Sequence, residues 1–324
     1  MRIIGTGSAL PETVLTAEEI DARLGRAAGW TLAASGVARR HVMTRGTQVD
    51  LAVQAARAAL ADAGLDAGAL DLVVSACGIG YQTLPSTAPL IQRGLGLADG
   101  AVATFDLNST CLSFLSALEV VDGLLHSGRY ARALIVSAEV ASRALPWATQ
   151  PEVAALFGDG AAAAVLGRGG GKLRAARFRS YPSGYGACEI GAGGTRFDFA
   201  QERAAFEAHA LFAMDGRALF RLTAQHFGGF VEEVLAEAGV DRAEIDLVVP
   251  HQASPGALQH MIRLCGFDAA RVVDIAGQVG NQIAASIPFA LDHARRAGQL
   301  PAGARVMMLG TSAGVSFGGV VMDV

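Results

Sequence analysis

With 324 residues, 52% of them hydrophobic and only 17% charged, the chain is long enough for one large domain or two intimate halves around a substantial core. No uncharged apolar run reaches the ~20 residues that cross a bilayer, and the opening lacks a long apolar leader, so a soluble, cytoplasmic protein with no membrane partner is expected. A net charge of −4 without any Lys/Arg block argues against nucleic acid as the main partner.

The opening MRIIGTGSALPE reads as a first strand followed by a turn. Gly5-Thr6-Gly7 begins like a dinucleotide-binding fingerprint, but Leu10 stands where the third glycine belongs, Pro11 follows, and no acidic partner is evident. Residues 55–76, AARAALADAGLDAGALDLVVSA, read as a helix ended by Gly64, a short polar turn and the β-branched strand Leu72-Val73-Val74. After Asp106 comes DLNSTCLSFLSAL, where Cys111 opens an apolar run that predicts a fully buried helix with Asn108, Ser109 and Thr110 as candidate caps. A strand over Ala133–Ser137 follows, and Gly169-Gly170-Gly171 is the natural junction between residues 1–168 and 169–324.

The second half repeats the first. Residues 230–251, FVEEVLAEAGVDRAEIDLVVPH, match Gly239 to Gly64, Asp246 to Asp71, and Leu247-Val248-Val249 to Leu72-Val73-Val74 at one constant offset. The run DIAGQVGNQIAAS from Asp274 parallels the cysteine segment, leading to a helix that Ser286 could cap and Pro288 could start, then a strand over Arg305–Leu309. Helices alternating with buried strands imply an α/β protein with mostly parallel sheets covered on both faces. Duplication of such a unit predicts five layers, two sheets and their helices around a shared central helix pair.

Four cysteines show neither a CxxC pair nor zinc spacing, and no metal ligand set is expected. Cys111 is expected at the positive end of a helix dipole, where a thiolate is stabilised and its pKa lowered; Cys77, Cys188 and Cys265 read as core thiols. His251 follows Pro250, which cannot continue a central ladder, so the imidazole stands at the carboxyl end of a strand, where open α/β sheets place ligands. Asn281 lies in a Gly-flanked loop before the second apolar helix, and the repeat puts it at the point equivalent to Cys111. A cysteine that accepts an acyl group, with His and Asn donating to an enolate oxygen, makes a coherent set that requires no metal or redox cofactor. Cys, His and Asn also occur in this order in papain-like hydrolases, but their local cysteine signature is absent.

Taken in order, IIGTGSALPE, SGVARRHV, DLNSTCLSFLSAL, FGDGAAAAVL, PHQA and GNQIAAS resemble the β-ketoacyl-acyl carrier protein synthase III family over essentially the whole length. The resemblance implies a thiolase-like five-layered αβαβα fold and a homodimer. It implies that Cys111 takes an acyl group from acyl-CoA, with His251 and Asn281 as the condensing pair on a malonyl thioester of acyl carrier protein. It also implies an oxyanion hole from the Cys111 and Gly314 backbone N–H groups, Trp30 stacked on the coenzyme A adenine, and substrate contacts at Ser254 and Phe220. Arg217, Arg221 and Arg263 would form the phosphate or carrier-protein dock, and Leu84 would close the partner's acyl pocket where the family often has Phe. Departures from the family pattern stand at Pro151, where the family places an arginine, at Ser254 in place of Asn, and at Gly256 in place of a basic residue. They imply altered recognition of the donor, and keep open a second reading in which the acyl group moves to a hydroxyl, an amine or a carrier protein without condensation.

Overall fold

The computed structural model describes residues 1–324. Strands β1 (Arg2–Ala9), β2 (Leu72–Ser75), β3 (Ala103–Asp106), β4 (Arg132–Glu139) and β5 (Gly160–Gly167) form one sheet in the order β1-β5-β4-β2-β3. Strands β6 (Lys172–Ser180), β7 (Leu247–Pro250), β8 (Arg305–Ser312) and β9 (Ser316–Asp323) form the other in the order β6-β9-β8-β7. A parallel bridge from Val248 to Val272 stands where the fifth strand of this second sheet would lie. The expectation of mostly parallel sheets is corrected to mixed ones: β2 is parallel to β3 and β4, and β7 to β8, while β5 and β9 run antiparallel to both their neighbours. Only Ala313, Gly314 and Val315 separate β8 from β9, and a link that short cannot make the crossover that parallel pairing needs.

Five helices cover these sheets: α1 (Gln48–Asp62), α2 (Ser113–His126), α3 (Gly216–Ala238), α4 (Pro255–Cys265) and α5 (Ser286–Arg296). The β-branched triplets sort themselves between layers. Leu72, Val74, Leu247 and Val249 pack inward with Leu115, Leu118 and Val121 of α2 and Ile287, Ala290 and Leu291 of α5. Val73 faces outward to the alanines of α1, and Val248 faces outward to α3 and α4. The layers are therefore α1, sheet, α2 with α5, sheet, α3 with α4, and strands buried on both faces read as continuous apolar runs. Burying one such Leu or Ile side chain contributes roughly 1.5–3 kcal/mol.

The repeated residues have repeated jobs. Gly64 (φ 64°) and Gly239 (φ 65°) end their helices in the left-handed conformation. The Asp71 carboxylate accepts the Arg132 N–H at 2.9 Å, and that of Asp246 accepts the Arg305 N–H at 2.8 Å, each tying a turn to the neighbouring strand. Gly5 and Gly7 let β1 lie against the α1 backbone: a Cβ at Gly5 would come within 2.5 Å of the Ala59 carbonyl oxygen. Their spacing thus serves packing. We propose residues 1–168 and 169–324 as the two half-units, meeting at the Gly169–Gly171 turn and sharing the central core. No helix is long and apolar enough to cross a membrane.

Candidate active site

Cys111 sits in a single 3-10 turn, Thr110–Leu112, ahead of α2 rather than in the α-helix itself. Side chains fold this turn in place of a conventional cap. The Asn108 Oδ1 accepts the Thr110 N–H at 2.8 Å, and the Ser113 Oγ accepts the Ser109 N–H at 3.0 Å. No side chain caps the helix, so the expected capping by Asn108, Ser109 or Thr110 is not realised. Thr110 carries φ 53°, one of two non-glycine residues with positive φ, at a cost of order 1–3 kcal/mol. The helix beyond is not buried on every face: Glu119 and Val120 are exposed, while Val121 and Leu125 remain in the core.

The other positive-φ residue is Ile283 (φ 49°), and its setting copies the first. The Asn281 Oδ1 accepts the Ile283 N–H at 2.8 Å, and the Ser286 Oγ accepts the Gln282 N–H at 3.1 Å. Asn281 is therefore the counterpart of Asn108, while Cys111 corresponds to Ala284, which corrects the pairing of Cys111 with Asn281. Helix α5 begins at Ser286, with no side-chain cap, and Pro288 lies within its first turn. Asn281 is held further by its N–H to the Leu156 carbonyl (2.8 Å) and by its own carbonyl, which accepts the Gly158 N–H (3.1 Å). Its Oδ1 is taken and its Nδ2 makes no bond within the protein, so both amide N–H donors are left for a ligand.

His251 follows the end of β7, its N–H donating to the Leu309 carbonyl at 2.8 Å. Gly310 makes room for it: a Cβ there would lie 2.6 Å from the His251 Cβ. The imidazole is 6% exposed, its Nδ1 has no partner, and burial lowers its pKa to about 4, so the ring is neutral at neutral pH. Burial also acts on Cys111, pushing its thiol well above the usual range, with Cys188 and Glu139 adding in the same direction. The Ala313 N–H and Cys111's own N–H oppose this but do not outweigh it. The expected low-pKa thiol is thus corrected to a protonated one at rest.

Cys111, His251 and Asn281 line one cavity of about 1380 Å³, whose wall also includes Phe157, Phe212, Met214, Leu219 and Phe227. Cys188 lines it too, a position that its short, polar surroundings in sequence did not reveal. The backbone N–H that bears on the Cys111 sulfur is that of Ala313, whereas Gly314 supplies the φ of 91° that turns β8 into β9. Gly314, the expected oxyanion donor, is the next residue of the same turn.

Two segments match models of 3-oxoacyl-[acyl-carrier-protein] synthase III: residues 105–182 the synthase model, and residues 235–324 its C-terminal model. The chain is 37% identical to the β-ketoacyl-[acyl-carrier-protein] synthase III of Bordetella petrii, over 98% of this chain and 96% of that one. It belongs to the β-ketoacyl-acyl carrier protein synthase III family. Crystal structures of synthase III from Pseudomonas aeruginosa PAO1 (33% identity, TM-score 0.87, 99% of this chain and 97% of that one) and Aquifex aeolicus VF5 (30%, 0.89, 100% and 99%) share the thiolase-like fold. Like its family, the chain is a condensing enzyme of the acyltransferase class.

The remaining residues named for this family divide by position. Ser254 and Gly256 line the cavity, the Ser254 Oγ capping α4 by accepting the Ala257 N–H at 3.1 Å. Phe220 stands at the same wall, 56% exposed and 4.8 Å from the His260 ring. Arg217, Arg221 and Arg263 are exposed outside the cavity lining, on α3 and α4, and form no salt bridge, unlike Arg177 with Glu233 and Glu237. Trp30 does not reach the cavity; the Arg26 guanidinium lies 4.9 Å from its ring centre. Leu84 is 84% exposed and touches no part of the cavity in its own chain, although Gln82 and Thr83 beside it do.

Proposed function

We propose that Cys111 accepts an acyl group from acyl-CoA and passes it to the malonyl thioester of acyl carrier protein, with loss of carbon dioxide, giving a 3-oxoacyl thioester. In the first half-reaction the Cys111 sulfur attacks the donor carbonyl and its proton goes to the departing coenzyme A sulfur. The N–H groups of Cys111 and Ala313 hold the tetrahedral oxyanion. In the second, the carbon–carbon bond to the malonyl carboxylate breaks and its electron pair becomes an enolate. Asn281 Nδ2–H and His251 Nε2–H hold the enolate oxygen while its carbon attacks the Cys111 thioester, and Cys111 leaves as a thiolate. A proton on Nε2 suits this role, because it leaves only a lone pair, not an N–H, without a partner at the buried Nδ1. Acyl-CoA and malonyl thioester are substrates, and no step is routed through a metal or redox group.

The observation that carries this reading is the uncommitted Asn281 amide in the same cavity as Cys111 and neutral His251. Acyl transfer without condensation has no use for that donor. The exposed Leu84 supports a homodimer in which it covers the partner's acyl pocket, and the unpaired arginines beside Phe220 support docking of coenzyme A phosphates or an acidic carrier protein. Trp30 then belongs to the nucleotide end of the donor, outside the cavity, and the enzyme acts in the cytoplasm. Intact-protein mass spectrometry after a panel of acyl-CoAs, followed by measurement of carbon dioxide from malonyl thioester, tests the whole scheme. An acyl adduct with no carbon dioxide release would leave only the transferase reading.

A further inference from the structure

Glu139 ends β4 with its side chain 0% exposed. Its carboxylate accepts the Gly78 N–H and, at 3.3 Å, the Ile79 N–H, and the Ala284 N–H also faces it. No cationic side chain pairs with it; the titratable groups that bear on it are Cys77, Cys111 and Asp159. Both catalytic turns hang from this group. The Gly78 carbonyl accepts the Asn108 Nδ2–H at 3.0 Å, and Asn108 in turn holds Thr110, next to Cys111. Ala284 belongs to the turn that Asn281 closes through Ile283.

The repeat gives this arrangement a meaning. Glu139 ends β4 as Ser312 ends β8, and Ala284 stands where Cys111 stands in the other half. Glu139 of the first half meets the Ala284 N–H of the second half with a built-in carboxylate. At Ser312 of the second half the equivalent carboxylate is missing, and the Cys111 N–H of the first half is left for a substrate oxygen. We propose that Glu139 is a positioning residue of the condensing site: its carboxylate is an internal stand-in for the substrate oxyanion, and it anchors the Asn281 turn against the cavity. The inference rests on the reaction proposed above. Burial pushes the Glu139 carboxyl up to about 8, so the charge that works against ionisation of Cys111 is present only above that pH.

The test uses full-length Glu139→Gln and Glu139→Asp, read by thermal unfolding, by the pH dependence of Cys111 alkylation with iodoacetamide, by self-acylation from acyl-CoA and by carbon dioxide release from malonyl-CoA. Above about pH 8, where the native Glu139 is ionised, Glu139→Gln should be alkylated faster than native, which moves the profile to lower pH. Release of carbon dioxide should fall at least tenfold more than self-acylation. Glu139→Asp keeps the charge and should leave the alkylation profile in place while carbon dioxide release still falls. An unmoved profile in Glu139→Gln, or a parallel loss of both half-reactions with lowered thermal stability, overturns the proposal in favour of a purely structural carboxylate. Should Glu139→Gln fail to fold, Gly78→Ala carries the test, since its Cβ would meet the Ile283 Cγ2 at 2.6 Å and displace the same turn with the carboxylate intact. It must reproduce the selective loss of carbon dioxide release, and a parallel loss overturns the proposal. Failure of the native protein to release carbon dioxide at all would instead refute the condensing reaction itself, which the alkylation profiles do not depend on.

Discussion

The two ends of the Asn281 side chain do different work, and substitution can separate them. The Oδ1 accepts the Ile283 N–H at 2.8 Å and shapes the turn, while the Nδ2 is free in the cavity. Asn281→Ala removes both. Loss of an oxyanion-type donor lowers turnover by about 10²–10³-fold, and loss of the turn bond costs about 1 kcal/mol of stability. Asn281→Asp keeps the acceptor for Ile283 but offers no donor when ionised, so it should spare stability and still slow condensation. Only its protonated form can donate, so its residual activity should rise as pH falls. The assay compares carbon dioxide release from malonyl thioester with the rate of acyl-adduct formation by mass spectrometry. Self-acylation should stay within about threefold of native in both variants, because that step uses the Cys111 and Ala313 N–H groups. If carbon dioxide release and acylation fall together, Asn281 only supports the backbone; if Asn281→Asp at high pH keeps native turnover, the donor role is wrong.

Peptide mapping after acyl-CoA treatment should find the adduct on Cys111 and none on Cys188, and Cys111→Ala should abolish it; transfer of label to Cys188 in the native protein would make the second cavity thiol an acyl acceptor. Because Cys111 rests as a protonated thiol in the cavity wall, its alkylation should accelerate about tenfold per pH unit through neutrality, and a plateau below about pH 7 would show a stabilised thiolate. His251 has its pKa lowered from 6.5 to about 4 by burial, so the unfolded chain takes up its proton first and stability should fall as pH drops through that window, by roughly 3 kcal/mol. His251→Gln should flatten that part of a denaturation-versus-pH curve, and an unchanged slope would assign the loss to other groups. Leu84→Phe should shift donor preference toward short acyl chains if Leu84 covers the partner's pocket, and an unchanged chain-length series would remove it from the site.

Much of this architecture is written locally. Gly64 and Gly239 mark helix ends because only a residue without a Cβ takes the left-handed conformation cheaply, and the two Leu-Val-Val triplets mark strands buried on both faces. Cys111, His251 and Asn281 stood out for a related reason: each sits at the end of an element, and element ends leave traces in capping, proline and glycine residues. What lay beyond sequence was decided by contacts between distant segments. The direction of β9 follows from the three-residue turn at Gly314, and the true partner of Asn281 is fixed by side-chain bonds at Asn281 and Ser286 that match those at Asn108 and Ser113, not by the spacing of similar words. The protonation of Cys111 turned out opposite to expectation because a local pattern reports the N–H groups of a turn but not the protein packed over it. Cys188 came to the cavity, and Trp30 and Leu84 stayed outside it, through the packing of loops whose neighbours in space are remote in the chain. Sequence by itself determined the repeat, the layers and three residues that meet in one cavity; tertiary structure decided their electrostatics and the wall around them, because desolvation depends on everything that surrounds a group and not on what precedes it in the chain.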